Sequence, residues 1–523
     1  MKPYPTEREV KFLVNRMMDL RTLPVHLLQL DCRISEPTRH QFHEIYLDTR
    51  DRWFLRAGLG LRLRTLGNRY WITLKSGQLN PYWVSYRVEL ETEMNGTPPR
   101  FPGVLPAGTI SRWIRSVHPG TQRLERLIAL SHQRDEYDVT TPEGTRIKAC
   151  ADLLRSDSGR FGLFREIELE LKDGNPSGLE TLALQLQKQT GWCLSTEPKL
   201  DRALRLDPAC SAEREILDGN LRKRRESILS DSKSLEETIE RTIRTQWDLI
   251  RLDEPGTRAG LDPERIHQMR LSVRRLRTAL TLYSSWLPSR ASAKPMLHQL
   301  ATLGHVLGCI RDTDICLKLL TRFLGKPKTS PSASVLQTIL FRRRRREHRT
   351  LLRYLESEDF RALAYWACRL TPEISNSKKT DRQLARDLLA KQTKRLHRTI
   401  QIAQSNVSMK SLHKLRIRFR KIRFARESLS PIVGNSTQRD ADQITRIQNI
   451  LGEVQDEATL LKNLKAFQIR VTVHRKMDSD GIFESLDSLL SAQTDRYSKR
   501  SRKIRKLLPA LKDSKIIRTF SRF

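Results

Sequence analysis

The chain has 523 residues, with 96 Lys+Arg against 60 Asp+Glu and a net charge of +36. Such a length supports two or three domains that fold without metal or disulfide help, and the charge favours a polyanionic partner: nucleic acid, an anionic membrane surface or polyphosphate. No run of about 18 uncharged apolar residues occurs, the opening MKPYPTEREVKF is charged where a secretion signal needs an apolar core, and the seven cysteines lack paired spacing, so a cytoplasmic protein without a transmembrane segment is expected.

Charge is uneven, roughly +6 within residues 1–205 and roughly +30 beyond them, which predicts two parts with different roles. In the first part, charged and apolar residues alternate in EREVKF, GLGLRLRT, YWITLKS, SYRVELETE, RIKACADLL and FREIELELK, the period of a strand. Turn-rich stretches such as SGQLNP and NGTPPRFPG separate them, and more helical patterns flank them at 6–20 and 177–190.

Parity sets Glu7, Glu9 and Lys11 on one face, Arg62 and Arg64 on another, Arg87, Glu89 and Glu91 on a third, and Glu166, Glu168 and Glu170 on a fourth. For a single strand the charged face simply meets water. Both signs recurring in strand after strand instead predicts a closed barrel with its charged faces inward, where carboxylates hold divalent metal and Arg and Lys hold phosphate oxygens.

The pentad Glu7-Arg8-Glu9-Val10-Lys11 resembles the Glu-x-Glu-x-Lys signature of the CYTH family, the triphosphate tunnel metalloenzymes. The later order is similar too: Tyr46-Leu47-Asp48-Thr49, Arg62 and Arg64, Lys75, Arg87 with Glu89 and Glu91, Arg134, Asp152, Glu168 with Glu170, and Lys199. The resemblance implies an eight-stranded antiparallel β tunnel with flanking helices, using Mg²⁺ or Mn²⁺. Metal contacts would come from Glu7, Glu9, Asp152, Glu168 and Glu170, with Glu89 and Glu91 added as carboxylates of the same lining, and the triphosphate grip from Lys11, Arg62, Arg64, Lys75, Arg87, Arg134 and Lys199. Water activated at the metal would attack the terminal phosphorus. Thiamine triphosphatases, RNA triphosphatases and adenylate cyclases share the family, so the organic group on the triphosphate stays open.

Beyond about residue 206 the apolar spacing becomes three and four, with almost no glycine, which predicts an all-α part. Breaks are expected at LDEPGTRAGLDPE, LGKPKTSPSAS, TPEISNSKKT and SPIVGNSTQRD, giving helical hairpins and bundles. The segment IHQMRLSVRRLRTAL (266–280) returns as LHKLRIRFRKIRFAR (412–426), and LGCIRDTD from Leu307 returns as LGEVQDEA from Leu451, so two pseudo-symmetric repeats are expected. On a helix, His267, Arg270, Arg274 and Arg277 form one stripe that Arg275 widens; His413, Arg416, Arg420 and Arg423, widened by Lys421, repeat it. Met269, Val273 and Leu276, and Leu415, Phe419 and Ile422, supply the packing sides.

A solvated basic face is the ordinary reading of such a stripe, but like charges at this spacing repel, and the pattern is kept twice. These stripes resemble the CHAD domain, the conserved-histidine α-helical domain associated with inorganic polyphosphate. Arg311 falls in its Leu-Gly-x-x-Arg-Asp element, whereas Gln455 replaces that arginine in the second copy. The run Phe341-Arg342-Arg343-Arg344-Arg345-Arg346 would spread charge around a helix, and without interleaved aromatics nucleic acid is the weaker partner.

The expected architecture is therefore α+β and multidomain: a tunnel domain at 1–205, a linker at 206–225, a helical polyphosphate-binding domain at 226–505 with repeats at about 226–370 and 380–505, and a basic tail at 506–523. The expected activity is metal-dependent hydrolysis of tripolyphosphate, with long-chain polyphosphate held by the helices and association with polyphosphate granules. An organic triphosphate as substrate, or a granule-binding protein with a vestigial tunnel, are the alternatives. Oligomeric state is not legible.

Overall fold

A computed structural model describes residues 6–14, 17–76, 84–120, 123–159, 164–219, 234–287, 290–324, 331–369, 372, 379–434, 438–473 and 480–513. The chain divides into two compact units, residues 1–221 with 252–265, and residues 222–251 with 266–523.

The first unit is built on one antiparallel sheet. Its strands are β1 (Thr6–Val14), β2 (Arg33–Ile34), β3 (Thr38–Thr49), β4 (Leu59–Leu66), β5 (Arg69–Ser76), β6 (Val84–Asn95), β7 (Leu124–Thr140), β8 (Arg146–Ser156), β9 (Phe164–Asp173) and β10 (Cys193–Ser195). The order runs β1-β6-β5-β4-β3-β7-β8-β9, and β9 pairs back onto β1, so the pairings return to their start through eight strands. This is the expected tunnel. Residues 6–14 are strand throughout and the first helix, α1 (Met17–Gln29), begins only after them, because β1 is hydrogen-bonded on both sides. Pairing on two edges overrides the helical reading of 6–20.

The alternation sorts the two faces of the wall. Val10, Phe12, Val14, Val139, Ile147, Ala149, Ile167 and Leu169 face outward into a core with Leu23 and Leu27 of α1 and with Leu179, Leu182 and Leu186 of the helix Pro176–Thr190. Each fully buried Leu or Val contributes roughly 1.5–3 kcal/mol relative to an exposed one, so these helices hold the barrel wall from outside. The opposite parity points inward. Toward one end it turns apolar: Tyr46, Leu130, Leu154 and Phe164 pack with Leu200, Ala203 and Leu204 of the helix Lys199–Leu206, which plugs the interior and sets Lys199 at its own first residue.

The second unit is helical among the described residues. Its helices include Arg290–Leu324, Pro331–Glu356, Asp381–Ser405, Met409–Val433, Gln438–Val473 and Asp480–Asp513, with the parts of Leu235–Ala259 before residue 252 and of Pro263–Leu282 after residue 265. Two apolar cores lie among the helices. One gathers Ile266, Met269, Val273, Leu276, Leu303, Leu307 and Ile310, the other Leu412, Leu415, Phe419, Ile422, Leu451 and Val454. The first and larger draws on both repeats, since it also holds Ala385, Leu388, Phe424 and Leu429. Ser408 caps the helix Met409–Val433 by accepting from the Ser411 amide, which fixes where the second stripe starts.

The break expected across LDEPGTRAGLDPE falls in its second half: the helix runs through Pro255 to Ala259 and the next begins at Pro263. Pro255 and Gly256 are buried, and a Cβ on Gly256 would stand 2.6 Å from Cγ of Arg265, so close helix packing here outweighs local propensity.

Candidate functional site

Inside the barrel the charged side chains form two buried clusters. Glu168 is the centre of the first, accepting from Lys199 Nζ at 2.7 Å and from Arg134 Nη2 at 2.6 Å, and pairing with Lys11. Asp152 accepts both arms of Arg134 at 2.7 Å and pairs with Lys199 at 2.9 Å. Glu166 lies 2.6 Å from Lys199, and Glu9 lies 3.6 Å from Lys11. The register explains the meeting: Lys11 is opposite Glu168, and Arg134 opposite Asp152, on neighbouring strands.

Burial pushes the Asp152 carboxyl up, but Arg134, Lys199 and His132 outweigh it and hold the group well below the usual range. Glu168 is likewise held well below by Lys11, Lys199 and Arg134 against the same burial, and Lys199 is held well above its ordinary value by Asp152, Glu166 and Glu168. Asp152, Glu166 and Glu168 are all buried, with carboxylate oxygens within 4.8 Å of one another, a group that could hold a metal ion.

The second cluster centres on Glu44, fully buried, which accepts from Arg62 at 3.2 Å and Arg64 at 2.6 Å and lies 3.0 Å from His132 Nδ1. Nearby, Lys75 pairs with Glu89 at 3.1 Å, and Thr73 donates to Glu91 at 2.8 Å. Arg62, Arg64, Lys75, Glu89 and Glu91 share one cavity of about 740 Å³ with Glu9, Lys11, Arg134, Glu168, Glu170 and Lys199.

Of the residues expected in the tunnel, the structure thus gathers Glu9, Lys11, Arg62, Arg64, Lys75, Glu89, Glu91, Arg134, Asp152, Glu168 and Lys199. Glu170 lines the same cavity but pairs with Lys172 at 2.6 Å. Glu7 and Arg87 are opposite one another in the β1–β6 register, while their side chains lie outside the described residues. Asp48 acts locally, accepting the amides of Thr49, Phe54 and Leu55 and so capping the short helix Trp53–Ala57.

Sequence reading misses three members as site residues. Glu166 shares the parity of Glu168 and is visible in FREIELELK. Glu44 and His132 sit on the inward parity of Tyr46 and Arg134, in strands whose inward faces mix charged and apolar residues.

Glu44, Asp152 and Glu168 have depressed folded-state values, so their contribution to stability is present above the unfolded carboxylate range of about 4 and is lost as pH falls through and below it. Glu44→Gln leaves Arg62 and Arg64 without their shared carboxylate, a loss of about 3–5 kcal/mol at neutral pH. The stability gap between variant and parent, measured by thermal melts from pH 7 down to 3, is expected to narrow as the medium acidifies; a constant gap would refute this assignment.

In the helical unit the two stripes feel each other. Burial, then Arg420, Arg416 and Arg270, pushes the Arg274 guanidinium down to about 9; burial, then Arg416, Arg270 and Arg277, pushes Arg420 down to about 10. Arginine stays charged in proteins, so the downward direction reflects like charges held close and partly out of water. The repeated Leu-Gly elements serve this crowding. Arg270 donates to the Gly304 carbonyl at 2.7 Å, and a Cβ on Gly308 would stand 2.4 Å from its Nη1; in the second copy Gly452 faces Arg416 at 3.7 Å.

Other members are less alike. Arg277 and His413 are exposed, and His413 Nδ1 lies 3.1 Å from Oε1 of Gln455, the residue that replaces arginine. Arg423 pairs with Glu427 at 2.6 Å. His267, Arg275, Arg311 and Lys421 are partly buried. The arginine run is partly structural rather than evenly spread field: Arg343 pairs with Glu347 at 2.7 Å and Arg344 with Asp314 at 2.5 Å.

Residues 5–204 match the family model of the CYTH domain, and residues 241–465 match that of the CHAD domain. The chain is a CYTH–CHAD protein. Among solved structures, the CHAD domain from the plant Ricinus communis is similar at 20% identity over 53% of this chain and 92% of that one, with a TM-score of 0.41. PptA from Streptomyces chartreusis is similar at 17% identity over 53% and 99%, with a TM-score of 0.40. A putative adenylyl cyclase from Hippeastrum, described as having a dominant triphosphatase activity, is similar at 18% identity over 37% and 93%, with a TM-score of 0.29. Among the described residues no helix of this CYTH–CHAD protein is long and apolar enough to cross a membrane.

Proposed function

We propose that the CYTH tunnel hydrolyses inorganic triphosphate with a divalent metal, and that the CHAD unit binds longer inorganic polyphosphate. The observation that carries the first part is the buried Asp152, Glu166 and Glu168 triad, set in the same interior as Lys11, Arg62, Arg64, Lys75, Arg134 and Lys199. Carboxylates and cations in one pocket match what phosphoryl transfer needs.

The donor set fits a hard ion. Its ligand atoms are carboxylate oxygens, and Cys150, the thiol lining the cavity, is not among them. Mg²⁺ or Mn²⁺ suits such donors, with Asp152, Glu166 and Glu168 as holders. When bound, the ion supplies charge neutralisation at phosphate oxygens and a more acidic water.

The chain's own residues do the rest. Arg62 and Arg64, oriented by Glu44, offer planar forks to phosphate oxygens, and Lys75 adds a point charge. Arg134, locked to Asp152 by two bonds, keeps that carboxylate ionised and correctly turned. The apolar plug around Leu130, Leu154 and Leu204 keeps water from that end of the interior, which strengthens each charge interaction there.

For the helical unit, the support is a pair of arginine stripes in which Arg274 and Arg420 are pressed chiefly by burial and by other arginines. Such a surface is repulsive by itself and is relieved by a flexible polyanion with one charge per phosphate. Arg270 donates to the Gly304 backbone, and neither stripe carries an aromatic platform for base stacking.

The test is phosphate release from tripolyphosphate, ATP and thiamine triphosphate at equal concentration, with and without Mg²⁺ or Mn²⁺. Metal-dependent release with preference for tripolyphosphate is expected. Preference for an organic triphosphate would move the substrate assignment within the family, and no release from any of the three would leave the binding role alone.

A further inference from the structure

Between the two buried clusters stands His132, with no exposed surface. Its Nδ1 lies 3.0 Å from Oε1 of Glu44, the oxygen that also receives Arg62 and Arg64. Its Nε2 lies 2.9 Å from Oδ1 of Asp152, the oxygen that also receives Nε of Arg134. Phe42 braces the ring at 5.8 Å between centroids and is itself capped by the Arg64 guanidinium at 4.4 Å. The imidazole therefore spans from the carboxylate that orients the arginine forks to a carboxylate of the triad.

We propose that His132 is a positioning residue that holds Glu44 and Asp152 in register, so that the phosphate-gripping arginines and the metal-holding carboxylates keep a fixed spacing. This rests on the tunnel reading above. A histidine that merely fills the core would need one partner for a ring nitrogen; here Nδ1 hydrogen-bonds Glu44 while Nε2 stands 2.9 Å from Asp152 in a close charge contact off hydrogen-bond geometry, and each carboxylate belongs to a different part of the site. Outer-shell partners of this kind orient the groups that touch ligand and typically change metal affinity about 10- to 100-fold when removed.

The test uses the full chain. His132→Asn places an amide near the Nδ1 position and keeps contact with Glu44 while losing Asp152; His132→Gln reaches toward the Nε2 position and keeps Asp152 while losing Glu44. Mn²⁺ affinity of the substrate-free protein is measured by titration calorimetry, and KM and kcat for tripolyphosphate are measured at saturating metal. The Asn variant is expected to bind Mn²⁺ about tenfold more weakly. The Gln variant is expected to recover Mn²⁺ affinity to within about threefold of the parent but to show a raised KM. A parent that binds Mn²⁺ and releases phosphate, beside an Asn variant with unchanged Mn²⁺ affinity and only a lower melting temperature, overturns the proposal alone. A parent that does neither overturns the tunnel reading, and this proposal with it.

Discussion

Glu168→Gln is expected to lower metal-stimulated phosphate release from tripolyphosphate by about a thousandfold, the scale at which a preorganised charge at a phosphoryl centre matters. The amide keeps the volume of the side chain and removes only its charge. Three cations lose a partner, Lys11, Lys199 and Arg134, yet each retains another: Glu9 or Glu166 for Lys11, Asp152 and Glu166 for Lys199, and Asp152 for Arg134. The fold should therefore survive with a loss of about 3–5 kcal/mol, the scale of removing one partner from a buried ion-pair cluster. Polyphosphate binding by the CHAD unit should not change, since its stripes belong to the other compact unit. Turnover within a few-fold of the parent would remove the triad from the chemistry.

The double variant Arg274→Ala, Arg420→Ala is expected to behave in the opposite way. Each lost guanidinium–phosphate contact is worth about 1.5–3 kcal/mol, so together they should weaken polyphosphate binding by two to four orders of magnitude, on the order of 3–6 kcal/mol. Triphosphatase activity should persist. The distinctive part concerns stability: Arg274 and Arg420 are pressed by burial and by other arginines, so removing both relieves repulsion and should leave the melting temperature of the polyanion-free protein unchanged or raised. Arg344→Ala is the contrasting control, because Arg344 pairs with the buried Asp314 and its loss should lower stability while sparing binding. If the double variant destabilised the free protein and bound polyphosphate normally, the stripes would be structural.

The reason the sheet can be read from the sequence lies in how local its signal is. Alternation in EREVKF or FREIELELK is a property of neighbouring residues, and it names both the strand and the inward parity before any partner strand is known. The doubled stripe is local in the same sense, because i, i+3 and i+7 share a helix face wherever the helix goes. So Lys11, Arg62, Arg64 and Glu168, and the arginines at 270, 274, 416 and 420, are identifiable as side chains with a common direction.

Strand β3 shows where that logic stops. In TRHQFHEIYLDT the inward positions Phe42, Glu44 and Tyr46 mix ring and charge, since this part of the interior holds both the arginine clamp and the start of the apolar plug. Nothing local distinguishes Glu44 from a solvated glutamate, or His132 from a surface histidine. Likewise, within Arg342-Arg343-Arg344-Arg345-Arg346 the pairing of Arg343 with Glu347 follows from i,i+4 spacing on one helix, whereas only the fold decides that Arg344 finds Asp314.

The chain's own letters, then, set the element types, the two-part division, the repeat and the direction of most charged side chains, because periodicity is a short-range property. Tertiary closure alone decided which charges meet, which of them lose water, and that one imidazole links the two clusters. Pairing and desolvation act between residues as far apart in the chain as Glu44 and His132 or Arg134 and Glu168, and their separation in space is defined only after the barrel has closed.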